Sequence, residues 1–538
     1  MTALTGWPET RSRRGLVATP HRAASEAGLA VLGQDGNAVD AAIAAAATLA
    51  VVYPHMNGAG GDNFWLIYDG RQGELLGLNA AGRSAAAVDA DRYRARYGPT
   101  MPTRGGAAAL TVPGAVSGWW EAHRFSREKL GSSIAWKTLL DAAIARARDG
   151  IPPSAGQRRV TEQARALFTD DATDEITKTF WPIFHPDRLA VEPFTQPDLA
   201  RTLELVAQGG AEAFYTGDLA GRIAHAAAIA GSPLRARDFA EHRADWVVPL
   251  RVRHRDGEAA SLPPPTQGFA VLAILALLAG FELGRLAEDD YIHLAVEATK
   301  LAFADRDRYL ADPTVIPVPV ERCLDPDRLA RRRHRISRRT AMPAATVSVE
   351  GDTVAIVTTD EHGNAASLIQ SLYHEFGSAV VAGDTGVLLQ NRGAAFSLDP
   401  THPNSLGPRK RPAHTLIPAM YLVGGRPRLV SGTMGGDGQP QTQAALITRM
   451  LERGLGPQEA VEAPRWLYGR TWGDPSTSLR LERRFEAGVV ESLARRGHDV
   501  RVVDAWSDVM GHAQVIEIGD GELRGGSDPR ADGAALGW

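Results

Sequence analysis

Thr353 and Ser371 are the first residues whose types and spacing suggest chemistry. Residues 353–359 read TVAIVTT, a β-branched run that suits a strand, and residues 365–373 read AASLIQSLY, a second strand. The turn Glu361–His362–Gly363–Asn364 lies between them. The midpoint of 353 and 371 is 362, so a symmetric hairpin sets Ser371 roughly opposite Thr353, side chains ~5 Å apart. An internal threonine hydroxyl is a poor nucleophile, and by itself the pair reads as a plain cross-strand hydrogen bond. The glycine-rich run GAGGD, residues 58–62, lacks G-x-G-x-x-G spacing and precedes a strand-like run, NFWLIYDG, so it does not read as a dinucleotide loop. No HExxH-type motif is present, the scattered histidines suggest no ligand set, and neither a metal nor a cofactor is expected. The single cysteine, Cys323, leaves no intrachain disulfide and no cysteine-based metal site.

The elements that must position these residues are legible in outline. The 538 residues are 44% hydrophobic, enough for a large core, with a formal net charge of −4. Length alone suggests three or four domains at about 150 residues each, although large layered enzymes break that rule. Nothing asks for nucleic acid or a membrane surface. Residues 1–20 are polar, carry arginines and lack an apolar signal core, so a cytoplasmic protein is expected. Apolar stretches at 38–52 and 269–281 fall short of the roughly 20 residues of a membrane helix and are read as buried helices. Asn37 can cap the first, and Pro263–Pro264–Pro265 marks a sharp start to the second. Residues 289–312 have helical periodicity. The basic run LARRRHRISRRT, 329–340, has no stacking aromatics beside it. It reads as a solvated linker that continues through small and polar residues to 352.

The blocks GNAVDAAIAA (36–45), VYPHMNGAGGDNF (52–64), TVPGAVSGW (111–119), AFYTGDLA (213–220) and EATKLAFADRDRYLADP (297–313) are followed by DTVAIVTTDEHGNAAS (352–367), FGSAVV (376–381), GVLLQNRGAAFS (386–397), RKRPAHTLIPAM (409–420) and SGTMGG (431–436). In this order, over nearly the whole chain, they resemble the γ-glutamyltransferase (γ-glutamyltranspeptidase) family of N-terminal-nucleophile hydrolases. The resemblance implies an α/β (α+β) fold of four layers, αββα. It also implies a precursor cleaved between Asp352 and Thr353 into chains 1–352 and 353–538 that remain one folded unit; a dimer of such units is open. A freed Thr353 would carry its own base, an α-amino group with a reference pKa of ~7.7–8.0. By the same resemblance Ser371 supports the nucleophile, the Gly435 and Gly436 amides form the oxyanion hole, and Arg83 grips a substrate carboxylate with two parallel hydrogen bonds.

The chain departs from the family where a γ-glutamyl group would be read. Family members bind its α-amino group with an acid in a block of the form N-Q-M-D-D-F, and here Asn391–Arg392–Gly393–Ala394–Ala395–Phe396 puts alanine at that place and arginine before it. Tyr373 replaces an asparagine that supports the α-carboxylate, and His414–Thr415 replaces a serine pair. A negative charge is lost and a positive one gained, so the expected substrate is a small amide whose acyl group bears a carboxylate and no amine: oxamate, glutaryl or a similar half-amide. LLQNRG resembles the branch that includes oxamate amidohydrolase. The short loop 399–410 should admit water and favour hydrolysis over transfer. The other readings are a γ-glutamyltransferase or glutathione hydrolase with an altered pocket, a glutaryl-cephalosporin-type acylase, and a non-catalytic binding homologue. Retention of Thr353 and both glycines weighs against the last.

Overall fold

The computed structural model describes residues 7–168, 174–191, 193–343, 352–469 and 476–538. The hairpin forms where the residue pattern places it. β8 (Asp352–Thr359) pairs antiparallel with β9 (Ala365–Tyr373), and Val354 faces Gln370, the register of a turn centred on 362. The Asp360 carboxylate builds that turn by accepting from the N–H groups of His362 and Asn364 and from Asn364 Nδ2. Its Oδ2, which meets Asn364 Nδ2, also takes the N–H of Ala38, the first residue of the helix Ala38–Val52, at 2.9 Å. Asn37 caps the same helix, its side chain accepting from Val39 and Asp40. One buried acid thus ties a strand turn to a helix start.

Two seven-stranded antiparallel sheets stack face to face. The first runs β17 (Ala534–Gly537), β2 (Leu16–Thr19), β8, β9, β3 (Asp62–Asp69), β4 (Glu74–Asn79), β5 (Asp245–Val247). The second runs β1 (Thr10–Ser12), β16 (Leu523–Ser527), β15 (Ala513–Ile518), β11 (Arg426–Thr433), β10 (Ala419–Val423), β7 (Gly257–Ser261), β6 (Leu250–His254). A small third sheet joins β12 (Trp466–Tyr468), β13 (Leu479–Glu482) and β14 (Val500–Val503). Helices Arg22–Leu32, Ala38–Val52 and Ala115–Glu128 lie on the outer side of the first sheet, and Gly268–Leu278, Gln439–Leu451 and Pro457–Glu462 on the outer side of the second. The layers are αββα, and both apolar stretches are buried helices.

Alternation along the strands sorts the core. Val354, Ile356, Leu368, Trp65 and Ile67 face the helix Ala38–Val52, while Ala355, Val357, Ile369, Phe64 and Leu66 face the other sheet and meet Met420, Val430 and Ile516. The sheets approach closely at Gly432, where a Cβ would lie 2.7 Å from Ile369 Cδ1 and 2.9 Å from Ala355 Cβ. Among the described residues no helix is long and apolar enough to cross a membrane.

The basic run is not a solvated linker at its start. Pro326–Arg333 is a helix with Leu329 buried. Arg332 grips the Asp305 carboxylate together with Arg328 just before the run, the latter at 2.7 and 2.8 Å, and Arg333 donates to the Ala276 and Leu277 carbonyls. Paired guanidiniums and one buried leucine convert a charge run into a docked helix. The fold also gathers histidines that lie far apart in sequence. His293 Nδ1 lies 2.8 Å from His498 Nε2 with Glu297 in the same buried group, and Glu297 takes the Lys300 ammonium at 2.7 Å and the Met342 N–H at 2.7 Å. With the His293–Ser337 carbonyl bond at 2.8 Å, this group clamps residues 337–342. Residues 344–351, the rest of the expected linker, lie outside the described residues.

Asp360→Ala should lower stability by about 3 kcal/mol, because it strands buried N–H groups of both the turn and the helix start. A drop of several degrees in the thermal midpoint, smaller for Asp360→Asn, is the expected reading.

Candidate active site

The ends of three strands form a polar row in the gap between the sheets. Asp62 of β3 is the cross-strand partner of Ser371 of β9. Beyond Val354 the β8–β9 register slips, since Asp352 pairs with Tyr373, so Thr353 is matched by two residues, Ser371 and Leu372. This is a β-bulge in β9, and it brings Tyr373 to φ +87°. Ser371 Oγ accepts from the Tyr373 N–H at 2.8 Å. Thr353 is 1% exposed, and its Oγ1 has no hydrogen-bond partner among the described residues.

Asp62 was not singled out from the sequence, and it organises this end of the molecule. Its Oδ1 accepts from Gly82 N (3.0 Å), Gly114 N (3.1 Å) and Gln390 Nε2 (3.0 Å), and its Oδ2 lies 3.1 Å from His414 Nε2. Burial pushes the Asp62 carboxyl up to about 7 against the pull of these donors and of Arg392. The available signal was an acid opening an apolar strand behind a glycine run. His414 is held well below its ordinary value by burial, then by the charges of Arg392 and Arg411, so its ring is neutral.

Arg392, Tyr373, Thr415 and Ser371 come together. Arg392 opens a 3-10 turn, Arg392–Ala395, and is fully buried. Its guanidinium lies 4.0 Å from the centre of the Tyr373 ring and makes long hydrogen bonds to Thr415 Oγ1 (3.3 Å) and Ser371 Oγ (3.4 Å). Its Nε has no partner, and no carboxylate pairs with it among the described residues. Burial pulls Arg392 down to about 10, which leaves it charged at neutral pH. Arg83 stands apart from this group. It is one-third exposed, 3.8 Å from Asp245, on a cavity of about 250 Å³ shared with Ser84, His242 and Arg409. Backbone joins the two places, since Gly82 N, next to Arg83, donates to Asp62.

Gly435 and Gly436 end β11 in a left-handed turn, at φ +125° and +50°. A Cβ on Gly435 would sit 3.2 Å from Gly511 Cα. Gln267 Nε2 spans to the carbonyls of Thr415 (3.0 Å) and Gly436 (3.1 Å), and Arg306 holds both Gln267 Oε1 and Asp437 at 3.0 Å. The glycine turn and the Arg392 group therefore share one buried bracket. Chemically, the arrangement offers a hydroxyl, a cation and a left-handed glycine turn in a water-poor gap.

The sequence profile described as Gamma-glutamyltranspeptidase matches residues 24–538. The chain is 43% identical over 528 residues to the oxamate amidohydrolase proenzyme of Klebsiella pneumoniae, covering 98% of this chain and 99% of that one. It is also 43% identical over 526 residues to the glutathione hydrolase-like YwrD proenzyme of Bacillus subtilis, covering 97% and 98%. The crystal structure of a cephalosporin acylase from Bacillus halodurans superimposes with a TM-score of 0.90 at 33% identity, covering 100% of this chain and 99% of that one.

Gly435→Ala should be the damaging change in the turn, because L side chains rarely adopt its φ of +125°; a strain cost of about 1–3 kcal/mol is expected. Gly436→Asn should be milder, since asparagine tolerates the left-handed region near +50°. Thermal melts of the two variants check the order.

Proposed function

This chain belongs to the gamma-glutamyltranspeptidase family, and from that premise we propose that it is a self-processing amidohydrolase acting on small half-amides that carry a carboxylate and no α-amino group. The observation that carries the reading is Arg392, a fully buried guanidinium with no carboxylate partner among the described residues. Burying an unpaired charge costs several kcal/mol, and an anionic acyl group would supply the missing partner. An ammonium beside Arg392 would be repelled. Ala395 offers it no charge, and Asp62 is already occupied by three N–H donors and His414.

In this mechanism the Thr353 hydroxyl attacks the Asp352 carbonyl, the peptide nitrogen leaves as the Thr353 amine, and water hydrolyses the ester. The new amine then takes the hydroxyl proton as Oγ1 adds to the substrate amide. The Gly435 and Gly436 N–H groups hold the oxyanion, each such donor typically worth ~3 kcal/mol. The ammonium returns its proton to the departing ammonia or amine, and water resolves the acyl-enzyme. Arg392, stacked on Tyr373 and steadied by Thr415, holds the carboxylate, and His414 lies beside it. Ser371, packed next to the nucleophile at the bulge, supports Thr353. Arg83 serves the outer cavity, where a substrate enters.

Purified wild-type protein should appear under denaturing conditions as chains 1–352 and 353–538, and Thr353→Ala as one chain of 57.5 kDa. Ammonia release from oxamate and longer half-amides should exceed turnover of a γ-glutamyl anilide, with little product formed on adding glycylglycine. Arg392→Gln should lose about 100-fold in kcat/KM, the ~3 kcal/mol of a charged hydrogen-bonded contact. Preferred γ-glutamyl turnover would sink the substrate reading.

A further inference from the structure

We infer that the Asp62–His414 pair is a proton-coupled specificity element: the substrate's carboxylate binds together with one proton, which His414 Nδ1 donates to it. The inference rests on the carboxylate reading above.

The geometry leaves the ring one way to respond. Three N–H donors occupy Asp62 Oδ1, so Oδ2 is the oxygen that meets His414 Nε2, at 3.1 Å. An ionised Asp62 accepts the Nε2–H, which leaves Nδ1 as a bare lone pair. That atom is fully buried and has no partner among the described residues. The main chain on either side is pinned, His414 N to the Pro265 carbonyl (2.7 Å) and Gln267 N to the His414 carbonyl (2.9 Å). The Phe64 ring meets the imidazole edge-on at 4.6 Å. The ring cannot readily turn away, but a proton can arrive.

The Arg392 charge acts directly on the His414 ring, and Thr415, next along the chain, contacts Arg392 through Oγ1, so the imidazole and the unpaired guanidinium are neighbours. A carboxylate drawn in by Arg392 would meet a lone pair at Nδ1. Protonation converts that repulsion into a charge-assisted hydrogen bond. The charged groups acting on the ring are Asp62 from β3, Arg392 from its 3-10 turn and Arg411 from the same segment. Without substrate, burial and then the two arginines keep the imidazole neutral. A bound anion offsets Arg392 and leaves the ring between two negative groups. In the empty site the pair takes its extra proton on the Asp62 carboxyl, near pH 7. The sign follows: binding favours the protonated pair, so affinity is level below about pH 7 and weakens above it.

The test is calorimetry of oxalate binding to the processed enzyme at pH 8 in two buffers of different ionisation enthalpy. Wild type should take up close to one proton per oxalate, and its Kd should rise toward tenfold per pH unit above about 7. His414→Gln and Asp62→Asn should bind more weakly with no uptake and no slope. The Thr353 amine is present in all three proteins and cancels in the comparison. Oxalate binding to wild type without proton uptake, or uptake retained in folded His414→Gln, would overturn the inference. Absence of uptake in wild type overturns the inference even if neither variant folds. Failure of every half-amide to release ammonia, with no oxalate binding, would instead fell the carboxylate reading itself.

Discussion

A carboxylate shut away from water must find donors, and at one end of this sandwich the chain arranges itself around that need. Asp62 collects N–H groups from three separate segments, at Gly82, Gly114 and Gln390, and an imidazole from a fourth. Three of the four donors adjoin the candidate site residues. Gly82 precedes Arg83, Gln390 stands two residues before Arg392, and His414 adjoins Thr415. Meeting the demand of one buried carboxylate therefore helps fix where Arg83, Arg392 and Thr415 stand. Arg392 is the counterpart, a buried charge whose need the protein leaves unmet. The contrast between a satisfied carboxylate and an unsatisfied cation that both neighbour Ser371 is what gives the gap its chemical direction.

Much of this was legible in the residues. The β-branched runs around the 361–364 turn specified the hairpin, and the arithmetic held through Val354–Gln370. It missed at Thr353 because period-two counting has no term for a bulge, and the extra residue in β9 is a tertiary feature. Asn37 and the alanine-rich run specified a capped, buried helix, since both signals are local. Asp62 was hidden inside a motif read for its glycines, because its importance depends on partners 20 to 352 residues away. The linker reading failed at its start for a related reason: counting charges in 329–340 could not show that Asp305 waits opposite Arg332. The residue types singled out Arg392, Tyr373 and Thr415, which the fold brings together, but not that Arg83 would stand outside their immediate contacts.

The strand order carries a consequence of its own. In the second sheet β16, β15, β11 and β10 come from the part of the chain after residue 352, and they lie between β1 on one side and β7 and β6 on the other, all from the part before it. In the first sheet β2 sits between β17 and β8, and β9 abuts β3. The two stretches are interleaved like the fingers of clasped hands. Neither could complete a sheet alone, and each would present bare strand edges, a template for aggregation. Order of events is thereby built into the topology. The chain has to fold while continuous, and the scission proposed at 352/353 would come only afterwards, in an object whose sheets are already assembled from both stretches.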